Sequence, residues 1–348
     1  MKKIVQVLKK IGKPTRVYKT DDGSRVLVLP YGGRVLGLYP PGRDENFYWT
    51  HTALESAAAA KDFYASKDWH NSGGDRTWLA PEVDFFFPNY PKTDVYFQQR
   101  SLDPGQYRVQ QSGEGFELTN LMRVLPSRLK KEITLKITKR FGSAANPLRH
   151  ERGLDLGGLE YAGYTQFTSL ELVGSSRSAR TQVGLWNLVQ MPHGGDLLIP
   201  TFSKTEPRHI FSTVGAISKQ DLAITDHLIT YRMRQKGEHK ISIRAATVCG
   251  RVGYCYRTGD KWSLIIRNFV VNPSGEYVDT PWTEPDNLGF AIQACNVNGA
   301  LGEFSELEYH IPAIGHRTGR IRCSDEAQVW AFRGGEKQIL GVRKLLLG

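Results

Sequence analysis

Near residue 75 the chain reads GGDRTWLAPE, and its residue types suit the grip on a polar ligand. Arg76 carries a planar fork of donors that matches vicinal hydroxyls or a carboxylate. Trp78 offers a flat apolar face to the C–H groups of a ring. Glu82 accepts from hydroxyls or orients Arg76. In an extended segment Arg76, Trp78 and Ala80 share one face, and Pro81 resets the alternation. Gly73 and Gly74 permit close backbone approach. A purely structural reading of the same residues is a turn, with Asp75 paired to Arg76, that feeds a buried strand. On either reading VDFFFP is strand core, with Phe85 and Phe87 on one face and Phe86 on the other. Far downstream, GEFSELEYHIPAI holds Glu306 and Glu308. If that segment is extended, both carboxylates line one face, as a site or as a solvated strand edge.

Other chemistries lack their signatures. The chain has no GxGxxG between a strand and a helix, no GxxxxGK[ST], no GxSxG and no HExxH. No cofactor and no metal are expected. What remains is carboxylates, histidines, arginine and aromatics, an inventory for proton transfer to, or simple binding of, a polyhydroxy ligand.

The elements that must position these groups are mostly strands. KKEITLKITK alternates Ile133, Leu135 and Ile137 with Thr134, Lys136 and Thr138, a strand with one wet face. HKISIRAA and KWSLIIRNFVV repeat the pattern. SRVLVLPYGGRVLGLYP reads as two strands joined at Gly32-Gly33, and EAQVWAFRGGEKQILGVRKLLLG as another pair turning at Gly334-Gly335. The best helical pattern is residues 52–67, where Ala and Leu favour helix, a candidate helical insertion. The 35 Gly and 17 Pro fit many short strands, and no Pro/Ser/Gly-rich linker divides the chain. The expectation is one all-β domain over residues 1–348, a large antiparallel sandwich with few short helices.

The net charge of +11 raises nucleic acid as a partner, but the basic residues form no long run, so the charge reads as a solvated surface with no specific nucleic-acid site. The first sixteen residues lack an ordinary signal peptide and no run approaches a membrane span, which predicts a cytoplasmic chain or the processed form of a secreted one. Cys249, Cys255, Cys295 and Cys323 match no zinc or redox spacing and read as reduced thiols.

The order of features resembles a family of uncharacterised bacterial proteins within the galactose-mutarotase-like (aldose 1-epimerase-like) superfamily. The residues that carry the resemblance are PYGGRVLGLYPPGRDENFYW, GGDRTWLAPE, KWSLIIRNFVVNPSGEYVDTPW and GEFSELEYHIPAI, spanning about residue 25 to the C-terminus. The resemblance implies a β-supersandwich whose concave face holds a small sugar or an oligosaccharide. It implies a late glutamate that takes the anomeric proton and a mid-chain histidine that protonates the ring oxygen. By position Glu308 matches the glutamate, with Glu306 as competitor, and His310 stands where the epimerases carry Gln. His193 in LWNLVQMPHGGD is the candidate acid, although it follows the aromatic-Asn-Leu element that the family's acid precedes. Asn46 matches an early Asn that reaches the sugar, and Trp49, Trp186 and Trp282 are further candidates for the same face. The implied activity is an aldose 1-epimerase-like isomerase; the alternative is a carbohydrate-binding protein without catalysis.

Overall fold

The computed structural model describes residues 1–113, 115–213 and 215–348. In chain order the strands are β1 (Arg16–Lys19), β2 (Arg25–Leu29), β3 (Arg34–Tyr39), β4 (Asp75–Ala80), β5 (Arg108–Ser112), β6 (Gly115–Val124), β7 (Ile133–Ser143), β8 (Glu160–Leu172), β9 (Gly184–Pro192), β10 (Asp196–Pro200), β11 (Arg208–Ser212), β12 (Leu222–Ile224), β13 (Leu228–Arg232), β14 (Gly237–Ile243), β15 (Arg251–Thr258), β16 (Lys261–Asn268), β17 (Ile292–Gly299), β18 (Gly302–His310) and β19 (Arg322–Gly334). The helices are α1 (Lys2–Lys10), α2 (Ala57–Ala65), α3 (Glu82–Phe85) and α4 (Glu336–Leu347). Among the described residues no helix is long and apolar enough to cross a membrane.

Two antiparallel sheets form the expected sandwich. A nine-stranded sheet runs β1-β2-β3-β4-β9-β18-β17-β14-β11, and a ten-stranded sheet runs β12-β13-β10-β15-β16-β19-β8-β7-β6-β5. Alternation sends one side of the central strands into the shared core, where Leu185, Val189 and Leu307 of the first sheet join Ile137, Tyr164 and Leu170 of the second. KKEITLKITK lies in β7, and the pair around Gly32-Gly33 is β2 and β3, as the pattern predicts.

Two expectations fail for local reasons. The Gly334-Gly335 turn leads not to a strand but into α4, because Leu, Lys, Gln and Arg favour helix and Ile339 and Val342 fall on one buried face. VDFFFP is not a strand either. After Pro81 the chain turns into α3, and all three phenylalanines are buried. The candidate insertion at 52–67 is a short 3-10 turn, Thr52–Glu55, followed by α2.

Gly74 fixes how β4 joins the sheet. Its φ is +71°, and an added Cβ would collide with the Val35 carbonyl of β3. Gly74→Ala is expected to cost about 3 kcal/mol or more, from backbone strain and loss of that close approach, read by urea denaturation. A cost below about 1 kcal/mol would show that β3 and β4 tolerate separation here.

Candidate functional site

The outward face of the nine-stranded sheet is where charge collects. Register sets Arg76 opposite Leu188 and Trp78 opposite Trp186. It also sets Glu306 opposite Gln190, Glu308 opposite Leu188 and His310 opposite Trp186. On the other side of β18, Glu308 faces Gln293 and Glu306 faces Cys295, with Lys240 beyond Cys295. Strand alternation therefore puts Arg76, Trp78, Trp186, Gln190, Lys240, Gln293, Glu306, Glu308 and His310 on one surface.

These groups form a continuous polar network. Arg76 Nη2 lies 2.8 Å from Glu306 Oε1, which also accepts from Gln190 Nε2 at 2.9 Å. The Arg76 guanidinium stacks 4.1 Å from the Trp78 ring centroid and 5.1 Å from that of Trp69. Trp186 donates Nε1–H to Glu308 Oε2 at 2.8 Å and stacks on His310 at 5.4 Å. Lys240 Nζ sits 3.3 Å from Glu82 Oε2, 3.6 Å from Glu308 Oε2 and 4.3 Å from the Trp186 ring. His310 Nε2 bonds Gln293 Oε1 at 2.8 Å, and Gln293 donates to Asp279 Oδ2 at 2.8 Å. Beside this network, Arg34, Trp69 and Trp78 all donate to Asp103 Oδ2 at 2.9 Å.

A roof covers the cluster. Glu82, at the start of α3, accepts from Tyr96 at 2.8 Å and from Trp282 at 2.9 Å. Phe86 packs on Trp78 at 4.5 Å and stacks with Tyr96 at 5.3 Å. As a result Glu308 is 0% exposed, and Arg76, Lys240 and His310 are each 2% exposed.

Burial governs the protonation states. Desolvation raises the Glu308 carboxyl to about 8; nearby Lys240 opposes the rise, and Glu306 and Glu82 add to it. Burial likewise raises Asp279 against the pull of Lys240. For Lys240 burial acts downward, but Glu308, Glu82 and Asp279 outweigh it and hold the ammonium charged. Burial, reinforced by Lys240, holds His310 well below its usual range, so its imidazole is neutral. Arg34, Arg76 and Lys240 thus face Glu82, Asp103, Asp279, Glu306 and Glu308. Of these carboxyls Glu308, raised to about 8, is the one that relieves the excess of negative charge by holding a proton at neutral pH.

Several buried polar atoms in the network have no partner among the described residues. They are Glu308 Oε1, Arg76 Nε and Nη1, Gln190 Oε1 and His310 Nδ1. A buried polar atom without a partner costs about 1–3 kcal/mol, so these five are groups that a hydrogen-bonding guest could satisfy. Among the described residues no group of three or more His, Cys, Asp or Glu is placed to hold a metal ion.

Of the residues singled out from sequence, Arg76, Trp78, Glu82, Trp186, Glu306, Glu308 and His310 meet here. Trp282 borders the cluster through Glu82, and Trp49 packs on Phe304 at 4.8 Å, further along β18. His193 and Asn46 do not join. His193 lies past the end of β9, and its Nε2 bonds Asn296 Oδ1 at 2.9 Å; Asn296 alternates with Cys295 and so points away from the Glu308 face. The Asn46 amide braces its own loop, accepting from Leu38 N and Tyr48 N and donating to Leu36 O.

No protein-family model matches the chain, and no curated protein sequence matches it. Among solved structures it is similar to a galactose 1-epimerase from Lactobacillus acidophilus NCFM, at 11% identity and a TM-score of 0.44, covering 92% of this chain and 95% of that one. An aldose epimerase homologue from C. elegans gives 8% identity and a TM-score of 0.41, covering 93% and 99%. A 4-alpha-glucanotransferase from Thermococcus litoralis gives 8% and 0.39, and the chain spans 40% of its length. At these scores the likeness carries no functional argument.

Proposed function

We propose that this protein binds a sugar on the outward face of the nine-stranded sheet and exchanges a proton with it through Glu308, as an aldose 1-epimerase-like isomerase would. The observation that carries the reading is Glu308 itself. It is a buried carboxyl raised to about 8, with one oxygen unpartnered, among aromatic rings and unpartnered donors. A carboxyl poised near neutrality gives up a proton and takes one back at little cost, as anomer exchange requires. Trp78 and Trp186 supply ring faces, and Arg76, Gln190 and His310 supply groups for hydroxyls. In this reading His310 is a neutral hydrogen-bonding partner, and His193 has no part in the proton transfer.

A second reading, carbohydrate binding without turnover, is favoured by the histidine held neutral beside Glu308; in either reading the roof over Glu308 must part to admit the sugar. Both readings require sugar to bind at the cluster. A panel of neutral, amino and uronic monosaccharides is expected to raise the melting temperature of the wild type, and to do so less in Trp282→Ala at the rim. Polarimetry on the stabilising sugar separates the two. Anomer exchange above the buffer rate supports the enzyme, and a shift without exchange supports the binder. Equal shifts in wild type and Trp282→Ala, or none at all, contradict both.

A further inference from the structure

A cavity of about 890 Å³ lies on the other sheet and takes no part in the cluster. It runs over the outward face of β6, β7, β8 and β19. Register places Thr119, Thr138, Ser169 and Ser324 side by side across these four strands, a row of hydroxyls. The next row is Glu117, Arg140, Phe167 and Glu326, in which the Arg140 guanidinium stands over the half-buried Phe167 ring at 5.6 Å.

At its far side the cavity meets an open strand edge. β16 pairs with β19 only from Asn268 opposite Gln328 onward, so Arg322–Ala327 is hydrogen-bonded to β8 on one side alone. The cavity occupies the place where β16 would have continued, between that edge and Val270, Asn272 and Pro312. Backbone N–H and C=O groups of the edge are therefore within reach of whatever lies in the groove. Asp325, 8% exposed, stands at the edge and accepts the Tyr309 hydroxyl at 2.5 Å. Thr168, opposite Asp325, keeps a buried hydroxyl without a partner among the described residues.

The lining chooses among ligands. Arg140, Arg320 and Arg322 face Glu117, Asp325 and Glu326, so no net charge selects an anion or a cation. The strand face of the groove is lined mostly by polar side chains, Glu117, Thr138, Arg140, Ser169, Ser324 and Glu326, which ill suit the alternate apolar residues of an added peptide strand. Hydroxyls that both donate and accept, a ring platform and a carboxylate suit a chain of neutral polyhydroxy rings.

We propose that this groove on the ten-stranded sheet is a glycan-binding site for a neutral oligosaccharide, laid across β6, β7, β8 and β19 against the open edge of β19. It stands on residues separate from the Glu308 cluster and on the opposite outer face of the sandwich. It makes the protein a binder of polymeric carbohydrate whatever the cluster does.

The test uses the full-length protein and a panel of neutral hexasaccharides: α- and β-linked glucans, a galactan and a mannan. At least one is expected to bind saturably and to slow amide hydrogen exchange at residues 322–326. Phe167→Ala, and separately the double variant Thr138→Val/Ser169→Val, should weaken that binding at least tenfold. Valine suits a strand face, so the double variant removes hydroxyls without disturbing β7 or β8. Monosaccharide stabilisation at the cluster should be unchanged in both, and Glu308→Gln should leave hexasaccharide affinity unchanged. The proposal is overturned if no member of the panel binds. It is equally overturned if affinity is the same in the groove variants, or if extended peptides rather than glycans protect residues 322–326.

Discussion

Glu308→Gln is expected to slow anomer exchange by about 10²- to 10⁴-fold while sugar affinity stays within a few fold of wild type. Glutamine keeps the size of the side chain and an oxygen to accept from Trp186 Nε1, so the walls of the site persist. What it loses is a proton that moves near neutral pH. Stability gives a second readout of the same group. Burial raises the folded Glu308 above the ordinary glutamate value of 4.5, to about 8. The folded protein therefore holds a proton that the unfolded chain releases. This contribution is fully present below about pH 4.5 and is lost as pH rises through about 8. Wild type should lose stability on the order of a few kcal/mol across that window, and Glu308→Gln should show a flatter slope in urea denaturation followed from pH 5 to 9. Parallel slopes in the two proteins, together with undiminished exchange in the variant, would remove Glu308 from the chemistry.

The second large effect is structural. Arg76→Met leaves Glu306 buried with Gln190 as its remaining partner, and an uncompensated buried carboxylate costs about 3–5 kcal/mol. The double variant Arg76→Met/Glu306→Gln removes both charges and should recover most of that loss. Denaturation of the four proteins in a double-mutant cycle gives the coupling directly. A single-variant cost below about 1 kcal/mol would mean that solvent reaches Glu306 freely and that the roof over the cluster does not seal it.

Much of this fold is written in alternation. β7 shows one apolar and one polar side because one side enters the core, and period two reports that directly. β16 alternates too, but its Trp262, Leu264 and Ile266 pack with Ile339 and Val342 of α4, while Arg267 on its other side is buried against Asp75. The same signal conceals the cluster. Lys240 in HKISIRAA sits on the polar side of its strand, and alternation alone makes that side look wet. Here it is covered by α3, Phe86 and Tyr96, so a lysine that looks solvated is 2% exposed among carboxylates. Asp103, Asp279 and Trp69 were missed for a different reason. They stand in segments between strands, where no periodicity announces which way a side chain turns. Arg76, Trp78 and Glu82 stood out because arginine, tryptophan and glutamate crowd within seven residues after two glycines. Glu306, Glu308 and His310 share a face because they are two residues apart on one strand. The misreading of α4 came from Gly334-Gly335, a pair that suits a hairpin and equally suits the start of a helix.

The most direct test of the account is the carboxyl carbon of Glu308, followed by carbon-13 NMR in glutamate-labelled protein and assigned by its loss in Glu308→Gln. With Glu308 both poised for proton transfer and in contact with the sugar, the signal should titrate near pH 8, and saturating sugar should shift both its position and its midpoint. A midpoint near 4.5, or a titration that no sugar alters, would contradict the assignment of this face as a proton-transferring sugar site.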